Sequence, residues 1–220
     1  MLVLENPADR LPAAPDWLPV GRTTDDAGFF HTPAHFDLLE RELRAQRPAS
    51  MAAWSAVASS GDEAYSLAML LSDLRSQGRI GGNWSVLATE ASEGALYRAI
   101  EGAYPAQRLR NVDAQRIRRH CLQDDDRAEG MIRVGPELRR RVRFRHLDLC
   151  RPIDKPGRFD VVFLHSVPAR LDLEARCAVI DRVLGQLRPG GLFFTGASEG
   201  PPPCDTPLQW LGPGAFRKAG

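Results

Sequence analysis

The residues Ser59-Ser60-Gly61-Asp62-Glu63 lie between a short apolar run, Met51 to Val57, and a stretch with Leu67, Leu70, Leu71 and Leu74 at i, i+3, i+4 and i+7. Small residues and then two carboxylates therefore occupy the turn from a strand into a helix, which is where a nucleotide-binding sheet keeps its ligand loop. The dinucleotide fingerprint needs G-x-G-x-x-G at that turn, and Gly61 is the only glycine of the loop. Asp62 and Glu63 would also repel a pyrophosphate, which makes NAD and ATP poor ligands. A further acid, Glu90, closes the run Trp84 to Glu90 at the point where nucleoside-binding sheets hold ribose hydroxyls on a carboxylate.

A cofactor with positive charge and no phosphate suits this set. S-adenosylmethionine carries a sulfonium and an ammonium, so the first loop would take its amino-acid end and Glu90 its sugar. Asp62 and Glu63 equally suit the first turn of a helix, where acids meet the positive end of the dipole. It is Glu90 and the strand–loop–helix pattern together that favour the cofactor.

Other candidate chemistry is weaker. Arg139 to Arg145 has arginines at 143 and 145 on one strand face, but 29 basic against 28 acidic residues leave a net charge of +1, with no field to gather nucleic acid. The run reads as a solvated strand face or a docking site for an acidic peptide. Asp124-Asp125-Asp126 lacks the spacing of a calcium loop and reads as a solvated turn. His31 and His35 straddle a helix start, and His146 and His165 stand alone, so no metal site is expected. Cys121, Cys150, Cys177 and Cys204 show no C-x-x-C spacing, and the N-terminus lacks a basic start followed by an apolar run. Apolar runs such as Val161 to Leu164 are far shorter than a membrane span. A reduced, cytoplasmic chain without zinc or membrane insertion is expected.

The elements that must position these residues follow from periodicity. Residues 1–22, rich in proline, read as an arm or the remnant of another domain. Phe36, Leu39 and Leu43 predict a helix from Pro33, with Thr32 as its N-cap. Strands are expected at Met51–Val57, Trp84–Glu90, Phe159–Leu164 and Leu192–Thr195, and helices at Tyr65–Gln77, Glu93–Gly102 and Leu173–Leu187. The last helix would carry a stripe of Leu173, Cys177, Ile180, Leu184 and Leu187 and stop at Pro189-Gly190-Gly191. Apolar strands alternating with amphipathic helices predict an α/β, doubly wound, Rossmann-like parallel sheet. Two β-like runs, Met131–Val134 and Val142–Leu147, predict a small antiparallel β insertion at about 113–147.

These residues resemble the CheR family of chemotaxis-receptor methyltransferases, whose first loop reads S-T-G-E-E-P-Y-S against Ser59 to Ser66 here. In the same order Phe29-Phe30 matches the F-F of N-x-T-x-F-F-R, Ala88-Thr89-Glu90 matches A-[ST]-D, and Asp148-Leu149 matches N-L. Phe159 to Val167 matches F-D-[AV]-I-F-C-R-N-V, and Leu187 to Gly191 matches L-x-P-G-G. The resemblance covers about residues 23–218, the expected methyltransferase domain. It implies S-adenosylmethionine as methyl donor, with S-adenosylhomocysteine as product and glutamate carboxylates of a chemoreceptor-like signalling protein as acceptors, and a monomeric enzyme. Glu63 with Gly61 would then meet the methionine end, Glu90 the ribose, and Asp148 with Leu149 the adenine side. Asp25, Ala27, His31, His165 and Ser166 fall at the family's remaining cofactor positions.

The departures bear on activity. The family's N-x-T-x-F-F-R is Asp25 to His31 here, and its R-N-V-x-I-Y-F is His165 to Leu171, which places Arg170 where an active-site tyrosine is expected. Histidine cannot replace the fork of an arginine on a carboxylate. His31 and Arg170 are the candidates for the catalytic positions. The alternative expectation is a catalytically weak or inactive cofactor-binding regulatory or scaffold module.

Overall fold

A computed structural model describes residues 28–123, 130–153, 157–165, 171–197 and 200–220. The proposed arm at 1–22, the site candidates Asp25, Ala27, Ser166 and Arg170, and the Asp124 to Asp126 loop lie outside these residues.

Pro33 at the first helical position starts α1 (Pro33–Gln46), which buries Phe36, Leu39 and Leu43. Thr32 is its N-cap, although the hydroxyl makes no capping hydrogen bond. The chain then alternates as expected: β1 (Ser50–Ser55), α2 (Asp62–Ser76), β2 (Asn83–Glu90) and α3 (Glu93–Glu101). α3 is closed by Ser92, whose side chain accepts from the Ala95 N–H, and by Gly102 in the left-handed conformation.

The next segment departs from expectation. β3 (Ala103–Pro105), a 3₁₀ turn at Ala106–Leu109, α4 (Ala114–His120), β4 (Cys121–Gln123) and β5 (Met131–Val134) build a separate antiparallel sheet in the order β3-β5-β4. After the single turn α5 (Pro136–Arg139), β6 (Val142–His146) does not join it. β6 pairs in parallel with β2, with Val86 opposite Val142 and Glu90 opposite His146. The run at 142–147 is thus an edge strand of the main sheet, and the small sheet begins earlier, at Ala103. Val142 and Phe144 are buried while Arg143 is exposed, the alternation of a strand covered on one face.

β7 (Phe159–Leu164), α6 (Leu173–Leu184), β8 (Leu187–Thr195), β9 (Leu208–Gly212) and β10 (Ala215–Lys218) complete the order β6-β2-β1-β7-β8-β10-β9. β10 is antiparallel to both its neighbours. α6 is shorter than its apolar spacing predicts: Leu173 is 67% exposed, and Leu187 pairs with Phe159 as the first residue of β8. Pro189-Gly190-Gly191 therefore interrupts a strand instead of ending a helix. The register shifts between Phe159 and Val161, with Gly190 at φ 76°.

Both faces of the sheet are covered. Val161 and Phe163 of β7 point into a core shared with α1, α2 and α3, while Val162 and Leu164 point into one shared with α6. This is the doubly wound, Rossmann-like arrangement, and it sets the C-terminal ends of β1, β2, β6 and β7 along one rim.

Candidate functional site

The rim begins with the turn after β1. Ser59 and Gly61 take positive φ, 48° and 90°, and a Cβ on Gly61 would stand 2.9 Å from both the Ala99 Cβ and the Tyr104 hydroxyl. Glycine is required here for its conformation and for the close approach of α3 and β3. The turn is tied to β2: the Ala58 N–H donates to the Thr89 carbonyl at 2.8 Å, and the Ser59 N–H donates to Glu90 Oε2 at 2.8 Å. The other oxygen of Glu90 accepts from the Ser92 N–H at 2.8 Å. Glu90 is only 4% exposed, and two backbone donors fix its orientation. A carboxylate offers about four lone-pair sites, so acceptor capacity remains for a diol.

The two acids that open α2 turn out to differ. Asp62 receives a fork from Arg108, Nε to Oδ1 at 2.8 Å and Nη2 to Oδ2 at 2.7 Å. Arg108 also donates to the Ser60 hydroxyl, and Tyr104 donates to the Ser60 carbonyl at 2.7 Å. That pairing raises the affinity of the Arg108 guanidinium for its proton. Asp62 is therefore neutralised inside the fold and does not face a ligand, contrary to the expectation that both acids attract a cationic cofactor.

Glu63 faces the rim. Its Oε1 accepts from the Ser55 hydroxyl and its Oε2 lies against His165 Nδ1, both at 2.6 Å. His165, the residue after β7, lies beside His35 of α1 with the ring planes 18° apart and the centroids 5.2 Å apart. Its Nε2 stands 3.0 Å from His35 Nδ1. Burial lowers the proton affinity of His35, against a hydrogen bond to the Pro213 carbonyl that raises it.

β6 brings the remaining candidates. The Leu147 N–H donates to the Glu90 carbonyl at 3.1 Å, which sets Asp148 and Leu149 just beyond the end of β2. Asp148 accepts from the Cys150 N–H at 2.9 Å, and Arg151 lies 3.5 Å from its other oxygen. Leu149 is buried, and its carbonyl accepts from Arg182. His31 is exposed in the turn before α1, and its side chain makes no hydrogen bond or ion pair among the described residues. The fold thus brings Gly61, Glu63, Glu90, Asp148, Leu149 and His165 to one rim and leaves His31 outside their hydrogen-bonded set.

Three contributors escaped the sequence reading as site residues: His35, Tyr104 and Arg108. His35 had a signal, since 35, 39 and 43 share one helical stripe and Leu39 and Leu43 are buried. Tyr104 and Arg108 had none, because they reach the loop from β3 of the small sheet and from the 3₁₀ turn that follows it.

The geometry defines a Rossmann-like sheet with acids at two strand ends and a first loop without the glycine pattern that cradles phosphate. The sequence profile described as "CheR methyltransferase, SAM binding domain" matches residues 25–207, and the chain belongs to that family. S-adenosylmethionine is the ligand for which the domain is described, and Glu63 and Glu90 fit its ammonium and its ribose. Chemotaxis protein methyltransferase of Escherichia coli K12 is 35% identical over 178 residues, 80% of this chain and 61% of the relative. Chemotaxis protein methyltransferase 2 of Pseudomonas aeruginosa is 33% identical over 196 residues, 87% of this chain and 69% of the relative. The chain thus spans 61% of the length of the first of these. Among solved structures, the glycopeptide N-methyltransferase MtfA with sinefungin aligns at 18% identity over 78% of this chain and 53% of that chain, with a TM-score of 0.42.

Proposed function

We propose that this domain binds S-adenosylmethionine along the rim of β1, β2, β6 and β7 and transfers its methyl group to glutamate side chains of a chemoreceptor-like protein in the cytoplasm. The observation that carries the reading is the pair Glu63 and Glu90. They are separate in sequence, yet the Ser59 N–H at 2.8 Å from Glu90 ties the loop that ends in Glu63 to the end of β2. Glu63 would take the cofactor's ammonium on its remaining lone pairs, Glu90 the ribose hydroxyls, and the Asp148-Leu149 turn the base. When bound, the cofactor supplies an electrophilic methyl on a sulfonium.

The acceptor carboxylate is ionised near neutral pH, so the chain needs no general base and contributes positioning and electrostatics. His31 and Arg170 are proposed to steady the acceptor, with Asp25, Ala27 and Ser166 completing the cofactor contacts. The partner is taken to be met from the cytoplasm and the domain to act as a monomer; no described helix is long and apolar enough to cross a membrane.

A second reading, a binding module with little turnover, is favoured by the placement of His31, exposed and outside the hydrogen-bonded set. Calorimetry with S-adenosylhomocysteine and a radiolabelled methyl-transfer assay on receptor fragments rich in glutamate test both. Binding with transfer supports the enzyme, binding without transfer supports the module, and no binding removes both.

A further inference from the structure

His35 is 2% exposed, in the first turn of α1. Its ring lies against Phe194 and Phe163, with centroids 5.2 and 6.4 Å away. Among the described residues, the charged and titratable groups that face it are His165, from the end of β7, and Glu63, from α2. The polar row runs from the Pro213 carbonyl to His35 Nε2 at 2.8 Å, from His35 Nδ1 to His165 Nε2 at 3.0 Å, and from His165 Nδ1 to Glu63 Oε2 at 2.6 Å. Ser55 of β1 fills the other oxygen of Glu63 with a donated hydrogen bond.

Hydrogens along this row can be counted. A carbonyl only accepts, so His35 Nε2 must carry a hydrogen. The nitrogen–nitrogen contact needs a second hydrogen and the contact to Glu63 a third. Two neutral imidazoles and a carboxylate bring only two. With two, one contact of 2.6 to 3.0 Å would set lone pair against lone pair. The row therefore holds one proton more than neutral histidines beside an ionised glutamate.

We infer that His35 is a positioning residue that makes His165 hold this extra proton against Glu63, and that a ligand ammonium placed on Glu63 drives the proton off to solvent. The inference rests on the cofactor reading of Glu63. A cation within about 4–6 Å disfavours a second one, and Glu63 can balance the ammonium in place of the imidazolium. The contact between His165 and Glu63 is then given up to the ammonium, the two remaining hydrogens serve the Pro213 carbonyl and the contact between the two rings, and the proton from the broken N–H bond goes to the buffer. Cofactor binding becomes tighter as pH rises, because the bound state holds fewer protons.

The test uses the full chain and S-adenosylhomocysteine, which keeps the ammonium. Titration calorimetry in phosphate and in Tris at about pH 7 is expected to give heats that differ with the buffer, corresponding to release of up to about one proton. The affinity is expected to tighten by up to about tenfold per pH unit between about pH 6 and 7.5. In His35→Phe, His165 can satisfy Glu63 while neutral, so both dependences are expected to vanish. Imidazole ¹⁵N shifts of the unliganded wild type are expected to show one proton shared by two rings at about pH 6, and two neutral rings there would overturn the inference. Binding with equal heats in both buffers and a flat pH profile would also overturn it while leaving the cofactor reading intact. No heat and no shift on adding S-adenosylhomocysteine would remove the cofactor reading and the coupling together.

Discussion

α2 carries three carboxylates, and its two sides treat them differently. On the side of the small sheet, Asp62 is forked by Arg108, while Asp73 accepts from Arg116 at 2.7 Å, from His120 at 2.8 Å and from Arg119. On the rim side, among the described residues, Glu63 meets the neutral hydroxyl of Ser55 and the imidazole of His165. Permanently charged arginines make the first pair of acids structural. Groups that can rotate or lose a proton leave the third acid adjustable, which suits a residue that must exchange partners with a ligand.

Asp73 offers the largest contrast. Burial works against its charge, but hydrogen bonds from His120, Arg116 and Arg119 outweigh it and hold the carboxyl well below the ordinary range. Replacing Asp73 with Asn removes the charge that Arg116, Arg119 and His120 share and turns an NH2 group toward at least one of these donors. It is expected to cost about 4 kcal/mol in urea unfolding. Because the folded-state value is depressed, this stability is present above about pH 4 and is lost as pH falls through the folded value. The Asn variant should lose that acid-side slope; an unchanged slope would mean Asp73 is not the group responsible.

Arg108→Ala leaves Asp62 buried without its charged partner, with only the Ser60 hydroxyl still donating to it among the described residues, and is expected to cost about 3 kcal/mol. Any loss of cofactor affinity should be secondary, through the loosened Ser60 backbone. If affinity collapsed while stability held, the division between structural and ligand-facing acids would be wrong.

Glu63→Gln is the converse. Stability should change by less than about 1 kcal/mol, while S-adenosylhomocysteine binding weakens about thirtyfold for the lost charge-assisted contact. Gly61→Ala sits between the two sides: strain at φ 90° and the 2.9 Å approach to Ala99 and Tyr104 should cost about 1–2 kcal/mol, read from the thermal midpoint. A neutral result would show that α3 and β3 can retreat from the loop.

The periodic elements were legible in the sequence because their burial repeats at 3.6 or 2 residues, as in α1, α2 and β7. The limits of α6 were not. Leu187 fits the helical stripe, yet it also matches an open position beside Phe159, and strand pairing in the sheet prevails over local spacing. Likewise Val142 to His146 looks like the second arm of a hairpin with Met131 to Val134, until β2 offers an unpaired edge alongside.

Residue order alone determined that Gly61, Glu63 and Glu90 would stand at the ends of two neighbouring parallel strands, because strand–loop–helix alternation forces those ends to one rim. The same order determined that no G-x-G-x-x-G could cradle a phosphate. Only the tertiary structure decided which acid is available there. Asp62 and Glu63 are adjacent and chemically alike, but successive residues of a helix point about 100° apart. That rotation hands one to Arg108 of the 3₁₀ turn after β3 and the other to a pair of histidines 130 residues apart in the chain.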